Sequence, residues 1–550
     1  MEMAQRETPR LREKRIAIQM ANSSLVATTI KVTLLELPPE ILTHIFLDLP
    51  FTSVVVCQGV NRYLQILISE SAEVQYYIHL GISGLVDNPR CHFPVSERLG
   101  RLQLRERHWE TMNFDFNKIV EVPFRFPYYR TELTARFFSG IAANGGLYYM
   151  QIPSAPDWEV KWRQVRSERM IISMGACVYE QDLHVYITAQ PRIIYTNIAA
   201  HRTVYEVRAI IPFETPERFG EPYILMGYSE NNLLMVLRDN THTEKPDEGV
   251  YVYDWRTSEL KLRLSAPFRS YNYPLVLTRE TFILPNAKTG ELEYWRFPQS
   301  PSEPMQHQPF FVLSLPQLAS DGAFQYFSCR IEPNPGTQSY SALKPFCNDP
   351  DKAIVTFIFA VELAGSALPR VHFTLFVHRT FLVGCPNKFS AFMSSDGQPK
   401  PVPYDEWGPS ACRWFNINDF QAEWLETTFG QRCIAPPPDT EAAPLTLFDF
   451  SPIGVAMALA TENPPTEKTE TYDLPCEPRF RAKFVIQSMD PLDDPYGCFE
   501  NTVYSSLPYI VYTSQDKYSF NALLLDEESV LGIREDNEGQ MKEIHVLHCG

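Results

Sequence analysis

Between Glu36 and Leu80 the apolar residues recur at helical spacing, whereas from Asn117 onward they gather in short runs separated by turn residues. The Leu37-Pro38-Pro39-Glu40 stretch has the chemistry of a helix start. Proline fits the first turn because its missing N–H has no partner to lose there, and Glu40 complements the positive end of the helix. Ile41, Leu42, Ile45, Phe46 and Leu49 then follow the helical period, and Pro50 ends it. Thr52 or Ser53 is placed to cap a second helix with Val56, Val60, Leu64 and Leu67 inward. Val54, Val55, Cys57 and Ile68 widen its apolar surface beyond one stripe. Ser69 or Ser71 is placed to cap a third helix, with Val74, Tyr77 and Ile78 inward and Gly81 at its end. So small a unit rarely folds alone, and its surplus apolar surface reads either as a docking site or as padding for the larger domain behind it. Beyond it, Ser96 is placed to cap a helix carrying Leu99, Leu102 and Trp109 on one face.

From Asn117 the period changes to that of strands. Tyr223–Tyr228 and Leu233–Leu237 bracket a turn over residues 229–232, and Val250–Tyr253 and Leu260–Leu264 bracket Asp254-Trp255-Arg256-Thr257-Ser258. Thr281–Leu284 and Leu292–Phe297 bracket Asn286-Ala287-Lys288-Thr289-Gly290, which rhymes with the previous turn. Ile354–Val361 and Val371–Val377 make a further pair. Tyr509–Thr513, Ala522–Leu525 and Val530–Ile533 form one cluster of strands, and Glu543–Leu547 closes the chain. Short strands with turns at this spacing predict a propeller or a large sandwich. At about 40–45 residues per blade the region has room for six or seven irregular blades. The expected architecture is therefore α+β and multidomain, a small helical unit followed by a large all-β, propeller-like domain, with a non-propeller β architecture as the alternative. The expected boundaries are a flexible tail over 1–35, the helical unit over 36–80, a helical extension over 81–116 and the β domain over 117–550.

Composition narrows the function classes. The chain has 550 residues, 44% of them hydrophobic, and a formal charge of −17. That balance argues against sequence-independent nucleic-acid binding, which needs a positive surface, and against an anionic membrane surface. The 45 prolines against 24 glycines fit loop-rich β structure. The 11 cysteines include no Cys-x-x-Cys pair, and the start carries no signal-peptide-like apolar core, which reads as free thiols in a cytoplasmic or nuclear protein. The longest largely apolar run, Ala353–Val361, is too short to span a bilayer as a helix.

Candidate chemistry is sparse. Neither a phosphate-binding Gly-rich loop nor a G-x-S-x-G elbow is present, so no catalytic residue, cofactor or metal site is expected. His545, His548 and Cys549 are ligand-type residues close together, but a terminal strand and frayed tail explains them better, since no second cluster completes a metal shell. His372 and His378 alternate on a strand. Asp490, Asp493 and Asp494 form an acidic knot that reads as a solvated turn, lacking the EF-hand spacing. Trp158, Trp162, Trp255, Trp295, Trp407, Trp414 and Trp424 are expected mostly as blade packing, with a few available for binding at a propeller mouth.

The helical stretch resembles an F-box. The family's opening Leu-Pro-x-Glu is matched by Leu37-Pro38-Pro39-Glu40, its next apolar positions by Ile41, Ile45, Phe46 and Leu49, and its second-helix positions by Val54, Val60 and Leu64, followed by Leu67. The chain departs from the family pattern at Ser53, at Asn61 before Arg62, and at Leu64, where the family often has tryptophan. The segments VQYYIHLGISGLVDNP and VSERLGRLQLRERHWETMNF resemble the extension after the F-box in basidiomycete-type fungal proteins, so the likeness covers about residues 36–115. The resemblance implies binding of a Skp adaptor, and through it a cullin scaffold, by Leu37, Pro38, Ile41, Ile45, Phe46 and Leu49, with Val54, Val60 and Leu64 supporting the fold or the contact. It implies a substrate receptor of a ubiquitin ligase that holds an unknown protein substrate through its β domain and does no bond chemistry itself. The alternatives are an adaptor-bound scaffold without ligase activity, or a β-propeller enzyme with an incidental helical N-terminus.

Overall fold

The structure is a computed structural model that describes residues 34–126, 131–134, 136–177, 183–190, 193–200, 207–214, 222–239, 248–267, 269–300, 308–336, 343–364, 370–393, 399–416, 426–435, 442–462 and 484–550. The chain divides into two compact units, Met1–Ile78 and His79–Gly550, two residues before the boundary expected from the sequence.

The first unit is helical. α1 spans Pro39–Asp48, α2 Phe51–Gln58 and α3 Arg62–Glu70, and α4, Ala72–Ser83, begins in it. Pro50 both ends α1 and starts α2, because its carbonyl accepts from the Ser53 and Val54 N–H groups at 2.8 and 3.2 Å. Thr52 and Ser53 therefore lie inside α2 and do not cap it. The single second helix expected through Leu67 is two helices, broken at Gly59 and Val60. Asn61 restarts the chain by accepting the Leu64 N–H at 2.8 Å, an N-cap that the sequence reading passed over. Ser71 does cap α4, accepting the Val74 N–H at 3.4 Å. The break moves the core: Val54, Leu64, Ile68, Val74 and Ile78 are buried, while Val56 and Val60, expected inward, are 70% and 65% exposed.

The second unit opens with the last turn of α4, which runs past Gly81 to Ser83. It stops before Gly84, whose φ of +67° is the left-handed geometry that ends helices. A short strand, β1 (Leu85–Asp87), leads to α5 (Val95–Thr111), which starts at Pro94, so Ser96 sits within it. Seven sheets of four or more strands follow among the described residues, six of four strands and one of five, and β28 (Asp490–Pro491) and β29 (Tyr504–Ser505) form a separate two-stranded pair. Blade 1 is β3 (Thr131–Thr134), β4 (Phe137–Ile141), β5 (Leu147–Gln151) and β6 (Arg163–Val165). Blade 2 is β7 (Ile171–Cys177), β8 (Leu183–Gln190), β9 (Ile193–Ala200) and β10 (Val207–Glu214). Blade 3 is β11 (Pro222–Ser229), β12 (Asn232–Asp239), β13 (Glu248–Asp254) and β14 (Glu259–Ala266). Blade 4 is β15 (Leu275–Val276), β16 (Thr281–Asn286), β17 (Glu291–Arg296) and β18 (Phe311–Ser314). Blade 5 joins β19 (Gly322–Ile331), β21 (Ile354–Leu363), β22 (Val371–His378) and β23 (Cys412–Asn416), with β20 (Phe346–Asn348) leaving to pair with β1. Blade 6 has five strands, β24 (Thr428–Phe429), β25 (Arg432–Ile434), β26 (Ala443–Asp449), β27 (Phe484–Ile486) and β30 (Tyr509–Tyr518).

Blade 7 closes the ring. Its strands β31 (Ala522–Leu525), β32 (Ser529–Glu535) and β33 (Met541–His548) are completed by β2 (Phe116–Glu121), which pairs with β33 from Phe116↔His548 to Glu121↔Glu543. Strand β30, expected to cluster with β31 and β32, belongs instead to blade 6. The cores confirm the ring, because each of seven apolar clusters lies between consecutive sheets. The cluster of Leu133, Phe138 and Met150 with Leu524, Leu531 and Ile544 seals blade 7 to blade 1. The second unit is thus a β-propeller. Strand β21 explains the longest apolar run: its residues Ile354 to Val361 are all buried, as in a strand covered on both faces.

The rhyming turns have the same construction. The Asp254 carboxylate accepts the Arg256 and Thr257 N–H groups at 2.9 and 3.2 Å, and the Asn286 side-chain oxygen accepts those of Lys288 and Thr289 at 2.9 and 3.4 Å. Yet one turn joins β13 to β14 and the other β16 to β17, different places in their sheets. The rhyme reports a turn type, not a blade period.

Candidate functional site

Two regions stand out, one on each unit. In the helical unit, Phe46, Val54 and Leu64 are buried and form its core with Leu42, Ile68 and Val74. Of the remaining residues singled out from the sequence, Leu37, Ile45 and Leu49 are half-buried, and Pro38, Ile41 and Val60 are exposed. The Tyr77 hydroxyl donates to the Leu49 carbonyl at 2.7 Å and ties α4 to the end of α1. The unit also exposes Leu34, Leu35, Val55, Val56, Tyr63 and Ile66.

In the propeller unit, α5 is part of the core. Trp109 and Met112 pack with Phe429, Leu447, Tyr512, Leu525 and Leu547 between blades 6 and 7. Beside Trp109 lies a cavity of about 280 Å³, walled by α5, the end of α4, the helix Pro452–Glu462 and strands of blades 6 and 7, whose lining includes Phe429, Arg432, Asp449, Tyr512, Asp526 and Glu527. A chain of ion pairs crosses it. Glu106 bridges Arg105 and Arg432 at 2.5 Å each, and Arg432 also holds Asp449 at 3.1 Å. Burial would raise the Glu106 carboxyl, but Arg432 and Arg105 together outweigh it and hold it below the ordinary range. The Arg432 guanidinium lies 5.3 Å from the centre of the Trp109 ring. On the adjoining β31–β32 turn, burial pushes the Asp526 carboxyl up to about 6. Burial acts the same way on Glu528, but Arg136 (2.7 Å) and Lys344 outweigh it and bring its carboxyl down to about 2. A second charged cluster joins blades 1, 5 and 6: Arg330 faces Glu332 at 3.5 Å and Glu426 at 3.7 Å, and burial raises Glu132 to about 7.

The other residues marked in the sequence are structural. His545 and His548 lie on β33, paired on both sides, with His548 stacked on Phe116 at 4.8 Å and Cys549 buried, so the chain end is not frayed. Among the described residues no group of three or more His, Cys, Asp or Glu side chains is arranged to hold a metal ion. Asp490 pairs with Arg413 at 3.0 Å, Asp493 accepts from Asn416 at 3.0 Å and Asp494 from the Phe499 N–H at 3.0 Å, so the acidic knot is a bonded turn. His378 precedes α6 (Arg379–Lys388), and burial lowers its imidazole to about 4. Trp255, Trp295, Trp407 and Trp414 are buried, Trp158 and Trp162 half-buried, and Trp424 lies outside the described residues. Sequence reasoning passed over Arg105 and Asp526. Arg105 does share the α5 face of Leu102 and Trp109, but nothing local marks Asp526, whose burial depends on blade 1.

No known protein-family profile and no curated protein matches the chain. Among solved structures, it is similar to the WD40 domain of Toxoplasma gondii coronin, at 8% identity over 80% of this chain and 87% of that one, with a TM-score of 0.33. It is similar to the C-terminal WD40 domain of Sif2 at 7% identity over 78% of this chain and 99% of that one, with a TM-score of 0.33. It is also similar to BamB from Moraxella catarrhalis at 11% identity over 78% of this chain and 100% of that one, with a TM-score of 0.31. At these scores the likenesses decide nothing, and the blade count rests on the strand pairing and on the apolar clusters between consecutive sheets. Among the described residues no helix is long and apolar enough to cross a membrane.

Proposed function

We propose that the chain is an F-box substrate receptor, docking a Skp adaptor through its helical unit and holding a protein substrate on its propeller. The supporting observation is that Ile41 and Val60, two positions of the F-box-like motif, are exposed on a unit whose other motif residues Phe46, Val54 and Leu64 are buried. Buried motif positions keep the unit folded and exposed ones meet the adaptor. Ile41, Val60 and Pro38 are therefore the contact residues, and Leu37, Ile45 and Leu49 form the rim. The propeller contributes a rigid frame with many loops, on which binding residues can vary without cost to the cores. Its chemical role is proximity, raising the effective concentration of a substrate lysine near a ubiquitin donor.

The test is co-purification with a Skp adaptor, comparing wild type with the Leu37→Ala/Pro38→Ala/Ile41→Ala variant. Wild type is expected to capture the adaptor and the variant to lose it while its propeller still melts cooperatively. A folded wild-type chain that captures no adaptor refutes the reading. Ubiquitylation of a co-purifying protein then separates a ligase receptor from a scaffold.

A further inference from the structure

The first strand of each blade lies against the first strand of the next, from β3 to β7, β11, β15, β19, β24 and β31, so these strands line the axis of the propeller. Blades 1 and 5 are not neighbours in this ring, yet they touch across it. Arg330 of β19 donates to the Leu133 carbonyl of β3. The Thr134 hydroxyl, also on β3, stands 3.3 Å from a carboxylate oxygen of Glu132 and 3.5 Å from one of Glu332, the residue after β19. Arg330 reaches Glu332 at 3.5 Å and Glu426, just ahead of β24 in blade 6, at 3.7 Å. Glu132 also accepts the Ala176 N–H of blade 2. One polar cluster thus ties together blades that no sheet or shared apolar core connects.

The charges at this crossing do not balance. Three carboxylates, Glu132, Glu332 and Glu426, share the Arg330 guanidinium. Glu332 and Glu426 are buried, so with both ionised the cluster already carries excess negative charge before Glu132 loses its proton. The hydrogen bonds point the same way. A hydroxyl has one proton, so Thr134 cannot donate to Glu132 and to Glu332 at once, and two ionised carboxylates can only accept. A proton on Glu132 completes the chain: Glu132 donates to Thr134, and Thr134 donates to Glu332. Glu132 is half-buried, so solvent can deliver that proton. Burial pushes its carboxyl up to about 7; Arg330 opposes the rise and Glu426 reinforces it. The remaining titratable group facing it among the described residues is Tyr228 of blade 3, beside Cys177 of blade 2, and burial holds that phenol in its neutral form. We propose that Glu132, Thr134, Glu332 and Arg330 form a proton-operated lock across the propeller axis, closed while Glu132 is protonated and loosened when it ionises. The lock lies wholly in the propeller unit and stands independently of the adaptor reading.

A carboxyl raised in the folded chain stabilises fully below its unfolded value near 4.5, and that contribution is lost as pH rises through about 7. Hydrogen exchange of the full chain, read by mass spectrometry on peptides covering β3 and β4, follows the lock directly. After correction for intrinsic rates, wild type is expected to exchange these amides roughly tenfold faster at about pH 8.5 than at about pH 5.5. Glu132→Gln keeps an acceptor for Ala176 and a permanent donor to Thr134, so it should exchange alike at both. Asp526 titrates in the same range but is present in both chains, so the difference between them reads Glu132. Glu426→Gln leaves Arg330 freer to meet an ionised Glu132, so its transition should move to lower pH and shrink. Protection of β3 and β4 that does not change with pH in folded wild type overturns the proposal, as does the same pH dependence in Glu132→Gln. Should Glu132→Gln not fold, a Glu426→Gln profile identical to wild type overturns it equally.

Discussion

Replacing Trp109 by alanine tests whether α5 is a member of the propeller or a linker in front of it. The side chain is 1% exposed and packs on residues of both blade 6 and blade 7. Burying about 200 Å² of ring at about 25 cal/mol per Å² is worth about 5 kcal/mol. The Arg432 guanidinium, 5.3 Å from the ring centre, adds about 1 kcal/mol. Relaxation of the neighbouring cavity offsets part of this, which leaves about 4 kcal/mol, within the usual cost of deleting a buried aromatic. The cost falls on the propeller, because blades 6 and 7 share the hole left behind. Trp109→Phe keeps most of the packing and should cost about 1–2 kcal/mol. Urea unfolding of the full chain, followed by far-UV circular dichroism, measures both variants. A loss under about 1 kcal/mol in Trp109→Ala, or release of α5 by limited proteolysis while the blades remain folded, would show that the helix is appended and refute the reasoning.

Two carboxylates on the β31–β32 turn should tilt stability with pH in opposite senses. Glu528 is lowered to about 2, so its stabilisation is complete above its unfolded value near 4.5 and disappears as pH falls through about 2. Asp526 is raised to about 6, so the fold is favoured while it holds its proton and loses that advantage as pH rises through 6. Glu528→Gln should therefore destabilise at pH 7 and hardly at pH 2, and Asp526→Asn should stabilise more at pH 8 than at pH 3; parallel urea midpoints with no pH dependence would contradict both. In the helical unit, Phe46→Ala should cost about 3–5 kcal/mol, while Ile41→Ala should stay within about 0.5 kcal/mol, as hydrogen exchange of α1–α3 amides can read. Cys57 is the one described cysteine that is not buried, so Cys57→Ser should remove one fast-reacting equivalent from thiol labelling of the native protein; an unchanged fast phase counts against it.

Local signals were legible because their causes are local. Pro50 marks a helix boundary through a missing N–H and a fixed φ, which need no tertiary partner. The Asp254 and Asn286 turns declare themselves because each side chain binds N–H groups two and three residues ahead. The hairpins β11–β12, β16–β17 and β21–β22 stand where alternating apolar residues and turn chemistry placed them. Helical period likewise brought out Trp109 and Leu102 as one face of α5, though not what that face would meet.

What the sequence by itself determined, then, is the type of each strong element, the change from helical to strand period near Asn117, and the family-like pattern of Leu37, Pro38, Ile41 and Phe46. Tertiary structure decided which of those residues face water: the break at Gly59 and Asn61 turned Val56 and Val60 outward and kept Val54 and Leu64 inside. It decided that β2 completes the last blade, a pairing of residues near 116 with residues near 548 that no local pattern encodes. It also decided the charged cavity, because Arg105, Trp109 and Asp526 come together only when the ring closes. Helix and strand are set by neighbours in the chain, whereas burial and the chemistry of a site are set by neighbours in space.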